Sequence, residues 1–300
     1  MRETDWIDRY IRPLVTAPGA ASLNDDVALL SASSPTIVTM DTLVENIHFL
    51  ASDPPNTVGQ KLISVNASDI LAKGAAPSEL LLSIAWPRGR SEAEFSALLN
   101  GVANDLKTYE LALIGGDFVA TDGPLTLTAT MTGRCFGPAP VRRAGGAAGQ
   151  TIYLNGDIGW GGLGLQAAKD GGDPMAAERY RVPEIGTISE AETIAQNASA
   201  SMDVSDGLLM DLARLADASG CGANLELDTN PLAKASENIE EIIAQCTSGD
   251  DYAMLVCADP SRAMPGFQAI GQLTGRPGLH LKYRGQAVKT PSTLGFEHTD

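Results

Sequence analysis

The residues of this chain best able to do chemistry are carboxylates, and they sit where the chain changes direction. Asp25 and Asp26 precede a β-like run, Val27–Leu30, and Asp41 ends the next one, Thr36–Met40. Asp117 follows the apolar run Leu111–Ile114 through two glycines, and Asp203 and Asp206 lie between a strand edge and a helix start. Carboxylates at strand ends can converge on one crevice, as a polydentate Mg²⁺ or Ca²⁺ site requires. Taken singly, each is more simply a turn or helix-cap residue. Five such places in one chain ask for a shared cause.

Asp69 is the most informative acid. It takes the next position on the apolar stripe formed by Val58, Leu62 and Val65. A carboxylate buried there needs a cation, a set of strong donors or a wet cleft beside it. If the stripe ends before it, Asp69 stands at the exposed rim instead, and spacing alone leaves both readings open. Two other features can hold phosphate. The glycine-laden stretch Gly156–Gly164 follows a strand and precedes a helix, the position of a backbone cradle, but it lacks the Lys-Ser/Thr ending of a P-loop and the dinucleotide spacing. By itself it reads as a glycine-rich turn. Arg142 and Arg143, in a glycine-flanked loop, can clamp a phosphate or simply be solvated linker charges. Three histidines (His48, His280, His298) and four scattered cysteines support neither a zinc site, a disulfide framework nor a nucleophile–histidine pair.

These residues need elements to position them. The sequence predicts a short amphipathic helix through Trp6, Ile7, Tyr10, Ile11 and Leu14, then the two β-like runs, then a helix over 56–74. A strand over Glu79–Trp86 ends at Pro87, and the capping-box spacing of Ser91 and Glu94 starts a helix reaching about Tyr109. Strands follow at Leu111–Ile114 and Leu125–Met131. A Pro/Gly-rich bridge over 137–149 is the expected domain boundary. Beyond it the spacing predicts strand Thr151–Leu154, a helix, a helix after Asp206, strand Ala223–Leu227, a helix over 237–246 and strand Tyr252–Cys257. Strands and helices intermix without strict alternation, which fits α+β or mixed α/β domains better than a barrel. The 300 residues, 44% hydrophobic and 19% charged, are enough for two such domains, placed at 1–138 and 139–300.

The formal net charge of −16 repels nucleic acid and anionic lipid, so neither is an expected partner. A phosphate substrate then needs bound cations to bring it in. The first residues are acidic without an apolar core, and no run of roughly 18 uncharged apolar residues occurs, so a soluble, cytoplasmic protein is expected.

Taken in order, Asp25–Leu30, Met40–Phe49, Ser64–Ala75, Leu113–Asp117, Met202–Asp211 and Ser248–Tyr252 resemble the thiamine-monophosphate kinase family of the aminoimidazole ribonucleotide synthetase-like superfamily. The likeness spans nearly the whole chain, and the segment Asp41–Phe49 favours the thiamine branch. It implies an N-terminal β-sheet domain that pairs with a second subunit, and a C-terminal α/β domain covering the cleft. It implies a homodimer and transfer of phosphate from ATP to thiamine monophosphate, aided by several Mg²⁺ ions. By position, the family's metal contacts fall on Asp26, Thr39, Met40, Asp41, Asp69, Asp117, Asp203 and Asp206. Nucleotide contacts fall on Gly116, Asp117, Arg143 and Ser205, and the thiamine end on His48, Asp250 and Phe296. The resemblance assigns no catalytic base. The chain departs from the pattern at Asn24 (usually Gly), Met40 (usually Thr), Asp250 (usually Glu) and Phe296 (usually Tyr or Trp). Another ATP-dependent reaction of the superfamily, or Mg²⁺/nucleotide binding without turnover, are the alternatives.

Overall fold

The computed structural model describes residues 7–17 and 35–296. Asp25, Asp26 and the run Val27–Leu30 lie outside them. The chain divides into two compact units, residues 1–70 with 76–134, and residues 71–75 with 135–300. The division falls a few residues before the expected boundary after 138, and it assigns Leu71–Ala75 to the second unit.

The first unit is a four-stranded sheet of β1 (Thr36–Val44), β2 (Ala75–Pro87), β3 (Ala112–Thr121) and β4 (Thr126–Cys135), in the order β1-β4-β2-β3. Helices α1 (Pro55–Ala72) and α2 (Glu92–Thr108) accompany it. Period-two alternation decides its faces. Leu80, Leu82 and Ile84 of β2 and Leu127, Ala129 and Met131 of β4 are buried, forming the inner face. Gly133, next on that side, packs against Ile70 of α1: a Cβ there would lie 2.3 Å from the Ile70 side chain. In the antiparallel register of β1 on β4, Thr39 opposes Met131 and Asp41 opposes Ala129, so both look inward toward α1. Val38 and Met40 look outward and are 67% and 64% exposed.

Three expectations are corrected in this unit, the first being the strand end at Asp41: β1 runs on to Val44 in its pairing with β4, which leaves Asp41 inside the strand. The N-terminal residues form a π turn (Ile7–Ile11) and a 3₁₀ turn (Arg12–Leu14) rather than an amphipathic α-helix. Pro13 has no N–H to continue one. The strand expected to stop at Ile114 runs on through both glycines to Thr121. The reason lies in the neighbour, because a Cβ on Gly116 would fall 1.8 Å from the Leu82 carbonyl oxygen. Gly116 thus permits a close approach of the two strands, and the pairing carries on past it. The capping box forms as its spacing predicts, with Ser91 Oγ accepting from the Glu94 N–H and Glu94 accepting from the Ser91 N–H.

The second unit carries β5 (Thr151–Asn155), α3 (Trp160–Asp170), α4 (Pro174–Arg181), α5 (Ile188–Asn197), β6 (Ala198–Asp203), α6 (Leu208–Ala218), β7 (Gly222–Glu226), α7 (Ile239–Cys246), β8 (Met254–Ala258), β9 (Gln268–Thr274), β10 (Leu279–Tyr283) and β11 (Gln286–Val288). Its mixed seven-stranded sheet runs β11-β10-β7-β9-β5-β8-β6. All five residues of β8 are buried, so this continuous apolar run sits inside the sheet, between β5 and β6. Leu208, Leu209, Leu212 and Leu215 of α6 are wholly buried in the same core. Each contributes roughly 1.5–3 kcal/mol of transfer free energy. Helices α4 and α5 and strands β9 to β11 are not foreseen from the pattern. Along β9, for example, only Ile270 and Leu273 are buried among glycine and glutamines, too sparse a repeat to read. Among the described residues, no helix is long and apolar enough to cross a membrane.

Candidate active site

In the first unit, the inner face of β1 and the stripe of α1 bring three predicted residues together. Thr39 donates its hydroxyl to Asp69 Oδ2 at 2.5 Å. The Asp41 N–H donates to Asn66 Oδ1 at 3.1 Å, pinning β1 to α1 one helical turn before Asp69. Asp69 is half-buried, neither sealed in the core nor out at the rim. Burial, reinforced by the charge of Asp69, raises the Asp41 carboxyl to about 6. Two carboxylates that repel each other in a partly dry setting, with a hydroxyl beside them, are an all-oxygen donor set suited to a hard divalent cation. The residues fit Mg²⁺ on that ground. Among the described residues no three His, Cys, Asp or Glu side chains gather at one point, so the pair is the nucleus of a site and not its whole.

Asp117 is not beside this pair. In the parallel register of β2 on β3, Leu81 opposes Gly115, Ser83 opposes Asp117 and Ala85 opposes Val119. These residues alternate with buried Leu82 and Ile84, so Asp117 is exposed on the outer face, with Val38 and Met40. Three strand spacings, roughly 14 Å, separate β3 from β1 across the sheet. Met40 points the same way as Asp117. Its side chain therefore faces away from the inner acids, which can meet only its backbone. His48, in the turn after β1, accepts the Val44 N–H on Nδ1 at 3.0 Å, and its carbonyl accepts from buried Lys61 at 3.1 Å.

In the second unit the loop between β6 and α6 carries Asp203, Ser205 and Asp206. Asp203 is buried and ends β6. Asp206 is held by Arg214, which also reaches Asp211 Oδ1 at 3.1 Å. Asp211, fully buried, accepts the N–H groups of Ser205 and Asp206 at 3.0 and 2.9 Å. Burial pushes its carboxyl up to about 6, with the charge of Asp206 adding to the rise. Asp211 thus shapes the loop that presents Ser205 and Asp206. Its only sequence signal is an acid in the first turn of a helix that follows Ser-Asp-Gly.

The same loop meets the other predicted residues of this unit. The Asp250 N–H donates to the Ser205 carbonyl at 2.8 Å, and the Phe296 N–H donates to the Asp206 carbonyl at 2.8 Å. Asp250 and Tyr252 adopt positive φ, 61° and 56°. The Tyr252 hydroxyl donates to Asp250 Oδ1 at 2.9 Å. A tyrosine in the left-handed region costs roughly 1–2 kcal/mol, and the Tyr252 N–H to Val204 carbonyl bond at 2.7 Å helps hold it there. Arg143 is exposed; its carbonyl accepts from Ser219 Oγ, which anchors the loop and leaves the guanidinium outside.

The glycine-rich stretch has a structural cause. Buried Asp251 accepts from the Gly159 N–H at 2.9 and 3.0 Å and from the Gly161 N–H at 3.0 Å, capping α3 from across the fold. Burial nevertheless raises Asp251 to about 7. A Cβ on Gly161 would lie 2.1 Å from the Gly249 carbonyl oxygen, and one on Gly164 2.2 Å from that of Ala176. The glycines let α3 press against the Asp250 loop and against α4. Asp251, Asp211 and Arg214 are the contributors that pattern reading passed over.

The chain matches the AIR synthase related protein N-terminal domain over residues 24–135 and the C-terminal domain of the same name over 147–284. The two matches cover most of its length, and the chain is a member of that family. A thiamine-monophosphate kinase of Caulobacter vibrioides is 34% identical over 99% of this chain and 90% of its own length. Two solved structures share the fold at 26% identity. AaThiL complexed with AMPPCP and TMP has a TM-score of 0.80 over 100% of this chain and 99% of its own. The thiamine-monophosphate kinase of Stenotrophomonas maltophilia has a TM-score of 0.79 over 96% and 98%. Within the class, this chain belongs to the thiamine-monophosphate kinase family.

Proposed function

We propose that the chain transfers the γ-phosphoryl group of ATP to thiamine monophosphate, forming thiamine diphosphate and ADP by direct in-line displacement. The observation that carries this reading is the Asp41–Asp69 pair with its Thr39 hydroxyl, in a chain whose full-length relatives are kinases of this name. The nucleophile is a phosphate oxygen of the substrate, already anionic, so no protein base is needed; the chain's work is positioning and charge neutralisation.

Asp41, Asp69 and the Thr39 hydroxyl are the residues that would hold Mg²⁺ in the first unit, with Asp26 and the Met40 carbonyl. Asp203 and Asp206 are proposed to hold it in the second. Bound Mg²⁺ supplies neutralisation of the phosphate charge, which a chain of net charge −16 otherwise repels. Ser205 and Arg143 contact the nucleotide, while His48, Asp250 and Phe296 contact the thiamine end. Phe296, 49% exposed and tied by its backbone N–H to the Asp206 carbonyl, is the residue proposed to stack on thiamine.

The protein acts as a homodimer in the cytoplasm, where its ATP is found. The outer face of the first sheet supports the pairing, because exposed Val38, Met40 and Val119 share it with Asp117. A second copy covering that face buries the apolar residues. It also accounts for an acid so far from Asp41, since each chain then offers Gly116 and Asp117 to its partner's nucleotide.

Incubation with ATP, thiamine monophosphate and Mg²⁺, followed by separation of thiamine phosphates, tests the reading. Equimolar thiamine diphosphate and ADP are expected. ATP binding without product at any substrate concentration overturns it.

A further inference from the structure

A small cleft in the second unit is lined by Asp157, Trp160, Arg179, Glu184, Asp250 and Asp251, among others. Its aromatic wall is Trp160, the first residue of α3, half-buried and directly after the left-handed Gly159 that Asp251 caps. The contact of Gly161 with the Asp250 loop sets how close that wall stands to Asp250: a Cβ at 161 would lie 2.6 Å from Asp250 Cβ. Any side chain at 161 would push the two apart. Trp160 therefore shares one cleft with the residue read above as a thiamine contact.

The cleft already shows what it accepts. The Arg179 guanidinium, a planar cation, sits 5.7 Å from the centre of the Trp160 ring. Arg179 is tied in turn to Glu184, whose side chain is 79% exposed and so is easily released to water. Asp157, Glu184, Asp250 and Asp251 all line the cleft, with the Arg179 guanidinium as its one lining cation. An indole face backed by carboxylates selects a flat cation. Thiazolium is such a cation, and it can take the place that Arg179 holds on the ring.

We propose that Trp160 is a specificity-determining residue of the substrate site, its indole face receiving the cationic heteroaromatic end of the substrate opposite Asp250. The proposal rests on the thiamine-monophosphate reading and deepens it.

The test compares the wild-type chain with Trp160→Ala and Trp160→Phe. Trp160→Ala should raise the KM for thiamine monophosphate about threefold to thirtyfold and leave the KM for ATP within about twofold. Trp160→Phe, which keeps a ring, should recover most of the loss. Preference for thiamine monophosphate over an analogue with a neutral ring in place of thiazolium should fall by a similar factor in Trp160→Ala. Binding is followed independently by quenching of tryptophan fluorescence with thiamine monophosphate alone. Saturable quenching in the wild type should disappear in Trp160→Phe, even if Trp160→Ala does not fold. An active wild type with unchanged thiamine monophosphate KM in Trp160→Ala, or undiminished quenching in Trp160→Phe, overturns the role of Trp160 and leaves the function standing. A wild type that binds thiamine monophosphate but forms no thiamine diphosphate overturns the function and leaves Trp160 to be decided by the quenching.

Discussion

Asp69 shows how one carboxylate can be judged from its surroundings. Its helix places it where a leucine would pack, yet it is half-buried, bonded to Thr39 and set close enough to Asp41 to raise that carboxyl. Such repulsion is relieved by a cation. Asp69→Asn should therefore lower kcat/KM by on the order of 10³ or more, about 4 kcal/mol, while metal-free thermal stability stays level or rises. Steady-state kinetics at several Mg²⁺ concentrations, with a melting curve in chelator, check both parts. Asp251 offers a second test at this scale. Its folded pKa of about 7 lies above the unfolded carboxylate value, so its contribution to stability is complete below about pH 4 and is lost as pH rises through 7. Asp251→Asn, which keeps an oxygen acceptor for Gly159 and Gly161, removes that loss. The difference in unfolding free energy between Asp251→Asn and wild type should grow in favour of the variant from pH 4 to 7, by up to on the order of 4 kcal/mol. Denaturant melts at each pH measure it, and a flat difference rejects the assignment.

Among the elements, α3 and its glycines do the positioning in the second unit. A methyl group at 161 cannot be absorbed by a flexible side chain, because its nearest neighbour is the Gly249 backbone carbonyl. Gly161→Ala should destabilise the chain by roughly 1–3 kcal/mol through backbone displacement. It should also raise the KM for thiamine monophosphate, since the Asp250 loop has to move. Gly149→Ala, where a Cβ meets nothing within 4 Å but φ is +94°, separates simple backbone strain from this contact. It should lose stability without the KM change. The strand β3 teaches the complementary lesson. The apolar run ends at Ile114 in sequence, and only the parallel neighbour β2, with its Leu82 carbonyl against Gly116, shows why the strand continues through both glycines.

For the whole molecule, the proposed pairing places a second copy over the face of the first sheet that carries Asp117. If a second copy covers that face, the active species has twice the 31.3 kDa chain mass. Val38→Glu, a charge placed on a 67% exposed apolar position, should shift sedimentation from dimer to monomer and abolish activity. Mixing separately inactive Asp69→Asn and Asp117→Asn chains should restore up to about a quarter of wild-type activity. Half the randomly paired dimers are then mixed, and each has one complete site. No recovery after exchange has been verified by mass would place Asp117 with its own chain or outside the site.

The acids, their order and their spacing were legible in the sequence because a carboxylate on an apolar stripe, or beside a β-like run, needs no tertiary information to see. So were most helices and strands of the first unit, whose alternation and capping box are local, and the mixed α/β class. That Asp41 and Asp117 lie inside β1 and β3 and not at their ends was not legible. What only the tertiary structure decided depends on residues far apart in the chain. The pairing of Asp41 with Asp69 needs β1 registered on β4 and pinned to α1. The opposite facing of Asp117 needs the β2–β3 register, since one residue of slip reverses a side chain's face. Asp251 acquires its role as a cap for α3 only when β8 brings the loop before it across the fold to Gly159. Sequence pattern reports which side chains conflict with their local surroundings, whereas register and packing settle which of them meet.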